Sequence, residues 1–115
     1  MDRLIRAAIN TYAGLLFVAR TETAFRQELL LLLLAALGAA FATERPWTRI
    51  LLVGSVLLTM IVELLNTALE KLADRITLNY DPHIEKIKNM GSAAVGLSLL
   101  GILFSWLLVL SEWVK

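Results

Sequence analysis

Long apolar runs separated by short charged segments dominate the pattern of this 115-residue chain. Residues 29–42 carry no polar side chain, residues 50–62 carry no charge, and residues 91–111 form a further uncharged run. About 20 apolar residues in a helix are enough to cross a hydrocarbon core about 30 Å thick. The pattern therefore predicts three membrane-spanning helices at about residues 23–42, 46–76 and 84–112.

The first 20 residues have a different pattern. Leucine, isoleucine, alanine and tyrosine recur there at helical spacing between Arg3, Arg6, Asn10 and Arg20. Such mixing is typical of a helix that lies in the membrane interface, so residues 2–20 are predicted to form a surface helix. Thr21 or Thr23 is expected to cap the next helix. The chain is thus predicted to be all-α, with residues 1–115 forming one membrane domain.

Composition restricts the chemistry available to this domain. Hydrophobic residues make up 58% of the chain, the net charge is +1, and cysteine is absent. Such a small net charge argues against nucleic acid as a partner, and the lack of cysteine excludes disulfides and thiolate metal sites. The ligands that remain are carboxylate and amide oxygens, which suit Mg²⁺. Lysine and arginine cluster before the first span and between the last two, which places the N-terminus and second loop in the cytoplasm.

Four polar side chains interrupt the second predicted span. At about 100° per residue, Glu63, Asn66, Glu70 and Asp74 share one narrow helix face. Counted from Arg49, Glu63 lies roughly 21 Å and Glu70 roughly 31 Å along the helix axis. Glu63 is therefore expected within the apolar slab and Glu70 at its edge. A carboxylate at such a depth is costly, and it indicates a functional site.

These residue types fit phosphoryl transfer assisted by a metal ion. Glu63, partly shielded from water, is suited to accept a proton from a hydroxyl group, and Asn66 can orient it. Glu70, with Glu22 from another helix, can hold Mg²⁺ together with substrate phosphates. Lys88 supplies a positive charge for phosphate oxygens. No glycine-rich nucleotide loop is present, so the phosphates would have to be bound by the metal, by Lys88 and by the N-terminal Arg3.

A second polar group precedes the first apolar run. Arg26, Gln27 and Glu28 stand immediately before six leucines, where a helix facing lipid would not need them. They are therefore predicted to line the site. With the proposed orientation, Glu22, Glu28, Glu63, Glu70 and Lys88 all collect near the cytoplasmic interface, where a lipid headgroup and a water-soluble nucleotide can meet.

Three motifs in order resemble the prokaryotic diacylglycerol kinase family. They are Ala24-Phe-Arg-Gln-Glu28, Glu63-Leu-Leu-Asn-Thr-Ala-Leu-Glu70 with Asp74, and Lys88-Asn-Met-Gly-Ser-Ala-Ala94. The resemblance covers essentially the whole chain. It implies a homotrimer in the bacterial inner membrane that phosphorylates diacylglycerol to phosphatidate with MgATP, at sites between subunits.

The resemblance also implies a role for individual residues. Glu63 would be the catalytic proton acceptor, with Asn66 and Lys88 completing the catalytic cluster and Glu22 and Glu70 holding the metal. The implied ATP-binding residues are Arg3, Asn10, Glu22, Glu70, Tyr80, Lys88 and Asn89. The implied lipid-binding residues are Arg3, Ala24, Phe25, Arg26, Gln27, Glu28, Arg49, Glu63 and Ser92.

Two positions depart from the family's pattern, and two other functions remain open. Asn89 stands where the family usually has aspartate, so either activity is reduced or that acid is dispensable. Asn10 stands where an aromatic residue is usual. The related undecaprenol kinases share the acidic face but act on another lipid. A non-catalytic membrane subunit, whose polar residues only hold helices together, is the alternative from a different class.

Overall fold

The computed structural model describes residues 1–114 as four α-helices in sequence. They are α1 (Asp2–Thr21), α2 (Thr23–Ala42), α3 (Pro46–Ile76) and α4 (Pro82–Val114). Helices α2, α3 and α4 are each long and apolar enough to cross a membrane. The prediction of an all-α protein with three spans is confirmed.

The break between α1 and α2 is a single residue, Glu22, with extended backbone angles (φ −113°, ψ 109°). Glu22 therefore occupies the N-cap position of α2, and its side chain makes no capping bond. The expected threonine cap is wrong because both hydroxyls bond elsewhere. Thr21 donates to a carbonyl one turn earlier at 2.8 Å, and Thr23 accepts from Arg26 at 3.0 Å. Arg26 also donates to the Ala19 carbonyl at 2.8 Å, which ties the end of α1 to the start of α2.

Two side chains satisfy the carbonyl groups left free at the end of α2. Arg49 donates to the Thr43 and Ala40 carbonyls at 2.8 and 2.9 Å. The Trp113 indole donates to the Ala42 carbonyl at 2.8 Å. The last carbonyls of a helix have no partner within the helix and are costly to leave unpaired near a membrane. Helices α3 and α4 thus both anchor this end of α2.

The turn between α3 and α4 is closed by a side-chain cap. The Asp81 carboxylate accepts hydrogen bonds from the backbone N–H groups of His83 at 2.8 Å and Ile84 at 3.3 Å. Pro82, whose missing N–H group costs nothing at the first helical position, begins α4. The cap starts α4 slightly before residue 84, where the apolar pattern alone had placed the span.

Helix α3 is the packing centre of the chain. It contacts both α2 and α4, and it contributes to both buried clusters. The cluster at the α1 end consists of Val18, Phe25 and Met60, with Leu32 and Leu64 packed against it. The cluster at the opposite end consists of Ala39, Leu52 and Val109, with Ala42, Val53 and Trp106 around it. The first cluster lies beside the acidic face of α3, so its packing positions the site described below.

Most of the apolar surface of the chain remains uncovered. Only Ser105 and Val109 are buried along the whole of α4, and only three residues are buried in α2. A water-soluble domain of this size would bury far more of its leucines, because exposed apolar patches of this extent favour association or membrane contact. The exposed leucines therefore agree with three helices that face lipid or another subunit.

We expect Leu52→Ala to destabilise the protein by about 2 kcal/mol or more, because it would leave a cavity at a fully packed position. Leu52 has 0% exposure and lies against Ala39 and Val109. The free energy of unfolding in detergent, followed by circular dichroism, measures the effect.

The neighbouring Leu51→Ala serves as the matched control, because Leu51 is 45% exposed. It removes the same atoms from the same helix without opening a cavity inside the chain. Equal destabilisation by the two substitutions would contradict the packing described here.

Candidate functional site

Three glutamates from two helices and the break between α1 and α2 line one small cavity. Glu22 comes from the break, Glu28 from α2 and Glu63 from α3. Glu22 precedes the first turn of α2 with extended backbone angles, so its side chain reaches the cavity from outside the helical periodicity that places Glu28. The cavity is also lined by Val18, Ala24, Phe25, Leu64 and Thr67. Five of the predicted site residues are thus brought together: Glu22, Ala24, Phe25, Glu28 and Glu63.

This carboxylate cavity is very small. Its volume of ≈ 10 Å³ is close to the minimum needed to hold one water molecule. Buried Phe25 packs on Val18 and Met60 and closes one side. The Glu28 Oε2 atom is buried, with no hydrogen-bond partner among the described residues. Buried carboxylate oxygens normally have a partner, so this arrangement favours a role in binding a donor or cation.

Asn66 connects the acidic face to α4. Its side-chain Nδ2 donates to Glu70 Oε1 at 3.2 Å, while Oδ1 is buried without a partner in the described chain. Gly91 of α4 lies directly against this amide, where a Cβ atom would overlap Asn66 Oδ1 and come within 3.0 Å of Leu69 Cδ2. The missing side chain at position 91 therefore allows α4 to approach Asn66 closely. Glu70 itself remains exposed, as its predicted position at the edge of the slab requires.

Lys88 contacts the last carboxylate of the acidic face of α3. Its Nζ atom is 2.8 Å from Asp74 Oδ1, so α3 and α4 are joined by an ion pair. Lys88, Tyr80 and Asn89 line a polar pocket of ≈ 310 Å³ at the turn between α3 and α4. Three of the residues predicted to bind ATP are thereby brought together, apart from the carboxylate cavity.

An apolar groove of ≈ 430 Å³ lies between α1 and α3. Its lining is mostly leucine, valine, phenylalanine, alanine and glycine, and its polar members are Asn10, Thr11, Thr67 and Lys71. This volume falls in the range of pockets that bind small molecules. The predicted ATP-binding residue Asn10 therefore lies in an apolar setting, separate from the polar pocket that contains Lys88.

Several predicted residues lie outside these pockets. Arg49 lies at the far end of α3, roughly 21 Å along the axis from Glu63, where it bonds the end of α2. Arg26 bonds the joint between α1 and α2. Arg3, Gln27 and Ser92 are exposed and line none of the pockets described above.

The donor set of the site fits a magnesium ion held partly by substrate. Among residues 1–114, no group of three or more acidic, histidine or cysteine side chains is close enough to bind a metal by itself. Mg²⁺ is commonly bound by one or two carboxylates plus phosphate oxygens and water. Glu22 borders the carboxylate cavity, and the exposed Glu70 is oriented by Asn66. Each is chemically suited to contribute one oxygen to an ion that arrives with a nucleotide.

Sequence reasoning missed two residues at this site. Lys71 forms an ion pair with Glu22 at 2.9 Å, and Gly91 contacts Asn66. Lys71 follows Glu70 directly and is the first positive charge in α3 after Arg49. That position could have indicated a partner for one of the carboxylates. Gly91 lay within a recognised motif, but its contact depends on how α4 packs on α3 and could not be inferred from spacing.

Comparison with known proteins identifies the family of this chain. The profile of the family described as prokaryotic diacylglycerol kinase matches residues 9–110. A diacylglycerol kinase of Escherichia coli (strain K12) is 41% identical over 108 residues, which cover 94% of this chain and 88% of the relative. A diacylglycerol kinase of Pseudomonas aeruginosa is 38% identical over 111 residues, covering 96% and 89%. One from Haemophilus influenzae is 34% identical over 106 residues, covering 92% and 90%.

The chain belongs to the prokaryotic diacylglycerol kinase family, because the match spans nearly its whole length. The predicted resemblance is confirmed, and so is the prediction that the chain is an enzyme of the kinase class. Three apolar helices in a family with these bacterial relatives indicate a bacterial membrane protein.

Gly91→Ala is expected to lower stability by about 1–3 kcal/mol, because the added methyl group overlaps the Asn66 amide and crowds Leu69. Thermal unfolding in detergent measures the loss. The matched control is Gly101→Ala in the same helix, where the added carbon meets no atom of the described residues within 4 Å apart from adjacent residues and the surrounding helix backbone. The control should be neutral or slightly stabilising, since alanine favours helix more than glycine. Similar stability of the two variants would contradict close packing at Asn66.

Proposed function

We propose that this protein transfers the γ-phosphoryl group of ATP to the free hydroxyl of 1,2-diacylglycerol and releases phosphatidate and ADP. The observation that best supports this is the meeting of Glu22, Glu28 and Glu63 around one cavity beside apolar helix surfaces. A diacylglycerol keeps its acyl chains in the membrane while its hydroxyl reaches the headgroup boundary. The expected depth of Glu63 matches that boundary.

Glu63 is the proposed general base. It lies beside buried Phe25 and the apolar chain of Leu64 and is itself partly buried. Its carboxylate would accept the hydroxyl proton while the lipid oxygen bonds to the γ-phosphorus and the bond from that phosphorus to the leaving oxygen of ADP breaks. In a site with little water, the carboxylate keeps a fixed orientation. Few water molecules can then take the place of the lipid hydroxyl beside it.

Glu22 and Glu70 are the proposed magnesium ligands, and Lys88 is the proposed phosphate contact. When bound, the ion would neutralise charge on the transferring phosphoryl group. Asn66 holds Glu70 by a hydrogen bond at 3.2 Å and so limits where that carboxylate can point. Asp74 holds Lys88 at 2.8 Å, which keeps the ammonium beside the polar pocket proposed for the nucleotide.

A homotrimer is proposed as the active assembly, in the inner membrane with the N-terminus and the α3–α4 turn in the cytoplasm. The carboxylate cavity of one chain is too small for a lipid headgroup, while Gln27 and Ser92 are exposed. The exposed faces of α2 and α4 offer ample surface for partner helices. In this arrangement α1 lies on the cytoplasmic surface, with Arg3 near phosphate groups.

We expect Glu63→Gln to lower the rate of ATP-dependent diacylglycerol phosphorylation by about 10²- to 10⁴-fold, because glutamine keeps the shape but cannot accept the proton. Transfer of radiolabelled phosphate in mixed micelles measures the rate. The matched control is Glu44→Gln, which neutralises an exposed carboxylate in the α2–α3 turn. This control should retain activity. Full activity of Glu63→Gln would refute the proposed base.

The same assay distinguishes the lipid substrates. Faster turnover of diacylglycerol than of undecaprenol supports the proposal, and the reverse would indicate an undecaprenol kinase. No ATP-dependent transfer to either lipid by the assembled wild-type protein would favour a non-catalytic membrane subunit.

A further inference from the structure

Lys71 makes contacts that the proposed reaction does not use. Its Nζ atom is 2.9 Å from Glu22 Oε1 and 5.6 Å from the centre of the Phe17 ring. Lys71 belongs to α3, Phe17 to α1, and Glu22 to the break between α1 and α2. The lysine therefore ties that break to α3 and is guided by a cation–π contact as well as by the carboxylate.

Glu22 cannot pair with this lysine and bind a magnesium ion equally well at the same time. An oxygen bound to Mg²⁺ lies about 2.0–2.1 Å from the ion, so an ammonium 2.9 Å from that oxygen would be held close to a dication. Like charges at such a separation repel, although water moderates the repulsion at this partly exposed pair. Metal binding at Glu22 therefore favours withdrawal of the Lys71 ammonium.

We propose that Lys71 is a positioning residue that competes with magnesium for Glu22. Without metal it neutralises and orients the carboxylate, and it must release Glu22 when the metal and nucleotide enter. Its presence raises the metal concentration that the site needs. This inference rests on the proposed role of Glu22 as a metal ligand.

The contacts suit a reversible competitor. The side chains of Lys71 and Glu22 are 50% and 30% exposed, so water can solvate the ammonium once it leaves. Exposed ion pairs are weak, and breaking this one should change metal affinity by about two- to fivefold. Lys71 also lines the groove between α1 and α3, which provides space beside the ion pair into which its flexible chain can move.

The test is Mn²⁺ binding to the intact protein in detergent micelles with a non-hydrolysable ATP analogue, followed by the electron paramagnetic resonance signal of free Mn²⁺. Lys71→Gln should bind Mn²⁺ about two- to fivefold more tightly than wild type. Lys71→Arg keeps the charge and should resemble wild type. Lys86→Gln is the matched control, because it removes one exposed positive charge from α4 and should leave the affinity unchanged.

A double-mutant cycle with Glu22→Gln separates this inference from the proposed function. The effect of Lys71→Gln should disappear in the Glu22→Gln background, because the shared carboxylate is gone. Weaker or unchanged Mn²⁺ binding by Lys71→Gln in the presence of Glu22 would overturn competition; weaker binding would indicate a phosphate contact instead. If Glu22→Gln alone left Mn²⁺ affinity unchanged, the proposed metal role of Glu22 would fail, and this inference with it.

Discussion

The cost of holding charge next to apolar surface governs the arrangement of polar residues in this protein. A carboxylate near hydrocarbon needs a cation, a hydrogen-bond donor or access to water. Glu22 pairs with Lys71, Asp74 pairs with Lys88, and Glu70 accepts from Asn66. The two ion pairs join different elements, so they relieve the charge and also fix how those elements meet, whereas Asn66 and Glu70 belong to the same helix.

The two ends of the helix bundle satisfy their polar groups in different ways. At the end near the α2–α3 turn, Arg49 and Trp113 donate hydrogen bonds to carbonyl groups at the end of α2. These bonds cap the backbone of that helix. At the other end, acidic side chains converge, and Glu28 and Asn66 each keep a buried oxygen without a partner in the described chain. Unsatisfied polar atoms are costly in a packed protein. Their concentration at one end distinguishes a site from ordinary helix capping.

At Gly91, the close approach of α4 to α3 involves a polar side chain of the candidate site. Small residues let helices pack tightly in membranes, where van der Waals contact replaces the hydrophobic effect between helices. At Gly91 the surface that α4 contacts is a polar amide, because Asn66 lies beneath it. Asn66 in turn bonds Glu70. The packing of α4 therefore bears on the amide that holds the Glu70 carboxylate.

The sequence alone determined the helical class, the three spans and the acidic face of α3. Those features depend on run length and on a period of about 3.6 residues, both of which can be read along one segment. It also identified the motifs that define the family. The tertiary structure decided which partners these residues find. Arg49 bonds the far end of α2, Lys71 neutralises Glu22, and Gly91 meets Asn66 because helix packing, rather than spacing within a helix, sets contacts between segments.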